Sequence, residues 1–246
     1  MQFSHNVFGP DFSKAALVTF DFGNVEVTLR MPEQREGLSS FLENTNLEKI
    51  HDDVSNAWIT HPLGHRYREL ASQSWKYQDE ITENYVAILN LEIEIQEILE
   101  LDKKNNVPFS RQGFPAYLLS LYRSMCIGGT SITPDSEDAT HEYENMQLPE
   151  SVTDIVVVNK NILDWVVISF GEIFQGPPDQ HVHIPLKDNA ILIIKYKVGF
   201  LVRYGEEISL PESELEKLRK EIAQELLDNI TVTYSPELLQ VISEQN

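Results

Sequence analysis

The chain has one cysteine, Cys126, and only 19 basic residues against 39 acidic ones. A lone thiol closes no internal disulfide, so the fold must stand without one, which fits a reducing compartment. The plainer role for Cys126 is a small buried residue of a helix. No apolar run approaches the ~18 residues a membrane-spanning helix requires. The opening residues MQFSHNVFGPDFSK lack the basic and apolar regions of a secretory leader, so a cytoplasmic location is expected. Also missing are G-x-x-x-x-G-K, G-x-G-x-x-G, G-x-S-x-G and C-x-x-C, the spacings that cradle phosphates, seat a nucleophilic serine or hold metal and redox thiols. No cofactor is expected on that basis.

The shortage of basic residues leaves a formal net charge of −20. Nucleic acid and anionic membranes should repel such a chain. A protein with a basic face would be attracted and steered in. Solubility alone is the plainer reading of the same charge. At 246 residues and 41% hydrophobic content the chain can build one large domain or two small ones.

The strongest strand signal is DNAILIIKYKVGFLVRY, residues 188–204. Its β-branched and aromatic residues suit a pleated, half-buried surface. Gly199 marks a turn or bulge, so the stretch reads as a hairpin or one long bent strand. Residues 15–31 predict a hairpin turning at Gly23-Asn24. Leu38, Phe41 and Leu42 suggest a short amphipathic turn, and 47–58 have helical spacing. Residues 67–79 fit either a helix or a strand. Residues 85–95 alternate as a strand with a solvated acidic face carrying Glu92 and Glu94.

Pro115 opens a predicted helix with Tyr117, Leu118, Leu121, Tyr122 and Met125 on one face. Residues 155–158 and 165–170 are apolar runs of strand length. Residues 181–186 suggest a short strand interrupted by Pro185. Ser209 and Glu212 have capping-box spacing ahead of a helix lined by Leu215, Leu218, Ile222 and Leu226, with Asn229 as its stop. Residues 231–234 form a short strand candidate, and the tail after Pro236 is expected to be peripheral.

These patterns predict an α+β fold of antiparallel-rich sheets with amphipathic helices packed on one face. Two similar lobes are expected: 1–130, then an acidic linker or loop at 131–150, then 151–246 with a C-terminal helix. VTFDFG at 18–23 echoes VVISFG at 166–171, and AILNLEIEI at 87–95 echoes AILIIKYKV at 190–198. Duplication would produce this, and so would the small vocabulary of strand–turn–strand sequences.

Asp179, His181 and His183 alternate, so on a strand they share one face, and a His-x-His pair can hold zinc or iron. A third ligand would come from elsewhere, with Glu172 as a candidate. Polar residues on a solvated strand face are the plainer alternative. His61 and His65 are four apart, yet Pro62 and Gly64 break the helix that would align them. Asp135, Glu137 and Asp138 lack the spacing of a calcium loop.

Phe20-Asp21-Phe22-Gly23-Asn24-Val25 resembles the first motif of haloacid dehalogenase-like phosphatases, and the resemblance would make Asp21 a nucleophile. It spans about six residues. The family's second aspartate is missing two positions on, and VEVTLRM reads as a hairpin strand where that family enters a helix. The Asp21-Phe22-Gly23 triplet is similar to the kinase magnesium motif, without that family's other loops.

The expectation is a non-enzymatic, acidic, cytoplasmic protein-binding protein. It would be an inhibitor or immunity-type protein of bacterial kind that occludes a toxin or effector with a basic face. An adaptor or chaperone shares the profile. A metal-dependent enzyme around Asp179, His181 and His183 is the alternative, and mimicry of nucleic acid by acidic side chains is a third.

Overall fold

A computed structural model of the chain describes residues 7–33, 40–41, 59–60, 66–81, 83–97, 109–110, 113–128, 146–160, 163–172, 177–187, 190–200 and 211–245. The architecture is mixed, with predominantly antiparallel strands and three helices among the described residues. The strands are β1 (Val7–Phe8), β2 (Ala16–Asp21), β3 (Val25–Met31), β4 (Ser40–Phe41), β5 (Ile59–Thr60), β6 (Arg66–Asp79), β7 (Tyr85–Glu97), β8 (Met146–Gln147), β9 (Val156–Lys160), β10 (Leu163–Glu172), β11 (Asp179–Lys187), β12 (Ala190–Phe200) and β13 (Ile230–Tyr234). The helices are α1 (Gly113–Gly128), α2 (Glu212–Asp228) and α3 (Pro236–Gln245). None of them is long and apolar enough to cross a membrane.

One sheet has the order β1-β6-β7-β12-β11-β10-β8, with β4 and β5 also pairing β6 and β9 pairing β10. A second sheet has the order β13-β3-β2. The chain divides into two compact units, each drawn from separated stretches. Unit 1 comprises Met1–Ile50, Ala71–Glu92 and Tyr196–Tyr234; unit 2 comprises His51–Leu70, Ile93–Lys195 and Ser235–Asn246. The units interleave along the chain, whereas the sequence pattern sets one lobe after the other.

In unit 1 the 15–31 hairpin forms as its alternation predicts. Val25, Val27, Leu29 and Met31 are buried on one face of β3. Gly23 makes the turn at φ +84°, where a side chain is strained, and its N–H donates to Asp21 Oδ1 at 2.8 Å. Asp21 thus ends β2 at a hairpin turn into β3, not at an entry into a helix. Phe12 meets Trp75 edge-on with centroids 5.1 Å apart, and Trp75 Nε1 donates to the Pro32 carbonyl at 3.1 Å. On α2, Leu215, Leu218, Ile222 and Leu226 are buried at the predicted spacing, and Asn229 caps the C-terminus. β13 pairs with β3, from Ile230 opposite Leu29 to Tyr234 opposite Val25.

In unit 2, α1 contributes Phe114, Leu118, Leu119, Leu121 and Tyr122 to a buried cluster with Ile155, Val166, Ile168, Ile191 and Ile193. Burying each large apolar side chain is worth about 1.5–3 kcal/mol. A net hydrogen bond is worth about 1 kcal/mol. Apolar burial therefore outweighs any single polar contact in holding this unit together.

The structure settles some open expectations and corrects others. Residues 40–41 pair with β6 opposite Ser72 and Ala71, so Phe41 stands on a strand, while Leu38 and Leu42 lie outside the described residues. Residues 67–79 resolve as strand. β12 runs continuously from Ala190 through Gly199 to Phe200, as the long-strand alternative expects, and residues 201–204 lie outside the described ones. β11 continues through Pro185, and its ladder with β10 runs from Asp179 to His183, two residues short of the proline that has no N–H to give. α2 begins after Pro211 with no side-chain cap, so Glu212 opens the helix where the capping box would put it one turn in. Met146–Gln147, inside the expected linker, pairs with β10. The tail after Pro236 is a helix that buries Leu238 and Ile242. The echoing segments 18–23 and 166–171 fall in different sheets, while those at 87–95 and 190–198 lie on neighbouring strands. The helical stretch at 47–58, His61, His65, the acidic loop residues 135–138 and Ser209 lie outside the described residues.

Candidate functional site

Strand β11 is paired on both edges, by β12 and β10, and both its faces are buried: Val182, Ile184 and Leu186 on one, His181 and His183 on the other. Phe170, Ile168 and Val166 of β10 stand opposite Asp179, His181 and His183. The three predicted ligand positions therefore do share one face, as alternation requires. That face is not solvated, because His183 is fully buried and His181 nearly so.

Helix α1 brings Tyr122 to the two imidazoles. Its hydroxyl lies 2.5 Å from His181 Nδ1 and 2.9 Å from His183 Nε2. His183 Nδ1 lies 3.1 Å from the Val166 carbonyl, which only accepts. The hydrogen-bond directions follow from donor chemistry. His183 Nδ1–H donates to Val166, so neutral His183 presents a lone pair at Nε2. Tyr122 donates its one proton to that lone pair. His181 Nδ1–H then donates to the Tyr122 oxygen.

Aromatic contacts enclose this chain of hydrogen bonds. Tyr122 packs edge-on to Phe170 at 5.2 Å and to His183 at 5.4 Å, while Phe170 lies 5.6 Å from His181. On the neighbouring strands, Lys195 Nζ of β12 meets Glu94 Oε2 of β7 at 2.6 Å. Glu94 is buried, which corrects the expectation of a solvated acidic face.

The electrostatics follow from burial. Desolvation pushes the His181 pKa well below the usual histidine range, helped by His183 and by the Lys195 charge. Desolvation also lowers His183 to about 4, opposed by its bond to Val166. Tyr122 is pushed well above its ordinary value by burial and by the Glu94 charge. Both imidazoles and the phenol are therefore neutral near pH 7. No protein-family model, curated protein or solved structure matches the chain.

Sequence reasoning places His181 and His183 together but misses Tyr122, Glu94 and Lys195. Tyr122 reads as part of an apolar helix face, and nothing in one dimension says which strand that face meets. Among the described residues no three His, Cys, Asp or Glu side chains converge as a metal set. The group between the imidazoles is a phenol. Asp179 opens β11 opposite Phe170, and the Glu172 side chain lies outside the described ones.

A separate hollow beside the start of α1 is lined by Phe109, Phe114, Pro115, Val157, Leu163 and Asp164, among others, and holds about 10 Å³. That is room for about one water.

Proposed function

We propose that this chain is a non-enzymatic, acidic protein-binding protein of the cytoplasm, an inhibitor or immunity-type protein of bacterial kind that occludes the working face of a basic toxin or effector. The net charge of −20 carries this reading. A charge of that sign and size speeds encounter with a basic partner and discourages nucleic acid and anionic membranes.

The 15–31 hairpin adds support. Asp21 and Glu26 are exposed and stand directly opposite one another across β2 and β3. Like charges in that position cost stability, a cost that a basic partner would relieve. The finer architecture belongs to the same proposal: two similar lobes with helices on one face, supported by the α1 cluster and by the neighbouring echo strands.

Affinity capture on the tagged chain from its native lysate, at low and then moderate salt, tests this reading. A single basic protein retained in stoichiometric amount, released as salt rises and blocked in its own activity by the complex, is the expected result. Retention of only acidic proteins, or retention indifferent to salt, contradicts it.

A further inference from the structure

We propose that His181 Nδ1, His183 Nε2 and Tyr122 Oη form a site for a divalent first-row transition-metal ion, zinc or copper. The inference is independent of the partner reading. It differs from the expected Asp179, His181 and His183 set in its third donor, which is a phenol oxygen from α1.

The Tyr122 oxygen lies between the two imidazole nitrogens, 2.5 Å from one and 2.9 Å from the other, so the three donor atoms are immediate neighbours. A tetrahedral ion with bonds of ~2.0–2.1 Å holds its ligands ~3.3 Å apart. The hydroxyl must therefore retreat by less than ~1 Å from each nitrogen to admit the ion.

The histidine wiring suits ligation. A metal-bound imidazole characteristically donates its other N–H to a carbonyl or carboxylate, which fixes the tautomer. His183 makes that bond to Val166, which leaves its Nε2 lone pair, now held by the Tyr122 hydroxyl, as the ligating atom. Imidazole nitrogens with an oxygen donor suit zinc and copper. The Phe170 ring closes one side of the cluster.

Other charges nearby do not oppose the ion strongly. Lys195 would repel it alone, but its ammonium is paired with Glu94. On binding, the oxygen–metal bond replaces the phenol O–H bond, and that proton leaves to the buffer. His181 binds through Nδ1 once its ring proton has moved to Nε2 by exchange with water, with no net change in protons. The ion stays divalent, so no oxidant or reductant is needed. Because the site is buried, loading accompanies folding or a transient opening of α1.

The test uses the full chain, unfolded and refolded with Zn²⁺ or Cu²⁺ and then passed over a desalting column. The expected result is one equivalent of bound metal, a raised Tm, and a phenolate-to-copper charge-transfer absorption with Cu²⁺. Y122F keeps the ring and the core packing, and it should lose that absorption. H183Q and Y122F should each weaken binding by at least ~10-fold, with folding confirmed by circular dichroism. Far less than one equivalent on the folded wild-type chain overturns the proposal. So does metal retention that either variant leaves unchanged, because the ion is then held elsewhere.

Discussion

Lys195 Nζ lies 2.6 Å from Glu94 Oε2, joining β12 to β7 within unit 2. Glu94 is buried and Lys195 only partly so. Removing the lysine takes the Lys195 charge away from a desolvated carboxylate, and breaking a buried pair in this way costs about 3–5 kcal/mol. K195M should lose about 2–4 kcal/mol, toward the lower side because the ammonium is partly wet. The double variant E94Q/K195M should recover part of the loss. Urea denaturation of the four proteins in a double-mutant cycle checks both.

Tyr122 supplies both packing and a hydroxyl, and the two can be separated. Y122F removes the oxygen between two buried imidazole nitrogens, which should cost about 1–3 kcal/mol. Leu118, fully buried one turn earlier in the same cluster, loses transfer energy and leaves a cavity when cut to alanine. L118A should cost about 2–5 kcal/mol. Chemical denaturation of both variants compares them. A larger loss for Y122F than for L118A would show that the polar chain matters more than the packing.

In unit 1, Glu225 of α2 is buried. Burial raises its carboxyl pKa to about 7, opposed by the Phe12 backbone N–H and aided by Asp11. The folded value lies above the ordinary 4.5, so folding favours the protonated form. The associated stability is fully present below pH 4.5 and is lost as pH rises through about 7. E225Q keeps the neutral form at every pH. It should match the wild type near pH 4 and exceed it by about 2 kcal/mol near pH 8. Thermal melts across that range check the slope.

Gly23 has φ +84° and lies in open space, so a methyl group added there would meet no atom within 4 Å. The cost of a side chain at this turn is conformational, not steric contact with neighbours. G23A should lose about 1 kcal/mol, and G23N less, since asparagine tolerates left-handed backbone better. Denaturation midpoints of the two variants decide it.

Strands are the most legible part of the fold. β3, β7 and β12 carry their burial in residue type and alternation, and Gly23-Asn24 announces its own turn. Residues 67–79 are ambiguous in one dimension because Trp75 and Tyr77 sit among long polar residues that suit either period. Burial of Tyr77, Trp75, Gln73 and Ala71 at every second position settles the segment as strand. Half of the candidate site is legible too, because His-x-His puts both imidazoles on one strand face. Tyr122 is not, being 59 residues from His181 and indistinguishable in sequence from one more core aromatic. Glu94 looks solvated because alternation alone cannot report that the neighbouring strand holds a lysine.

The measurement that bears most directly on the proposed function is the association rate of this chain with its captured partner as ionic strength is raised. The proposal predicts that the rate falls by about tenfold or more between low and high salt while dissociation changes little, as screening removes the steering field. It also predicts slower association for the charge-reversed D21K/E26K hairpin. A rate that is flat with salt would contradict binding led by the acidic surface.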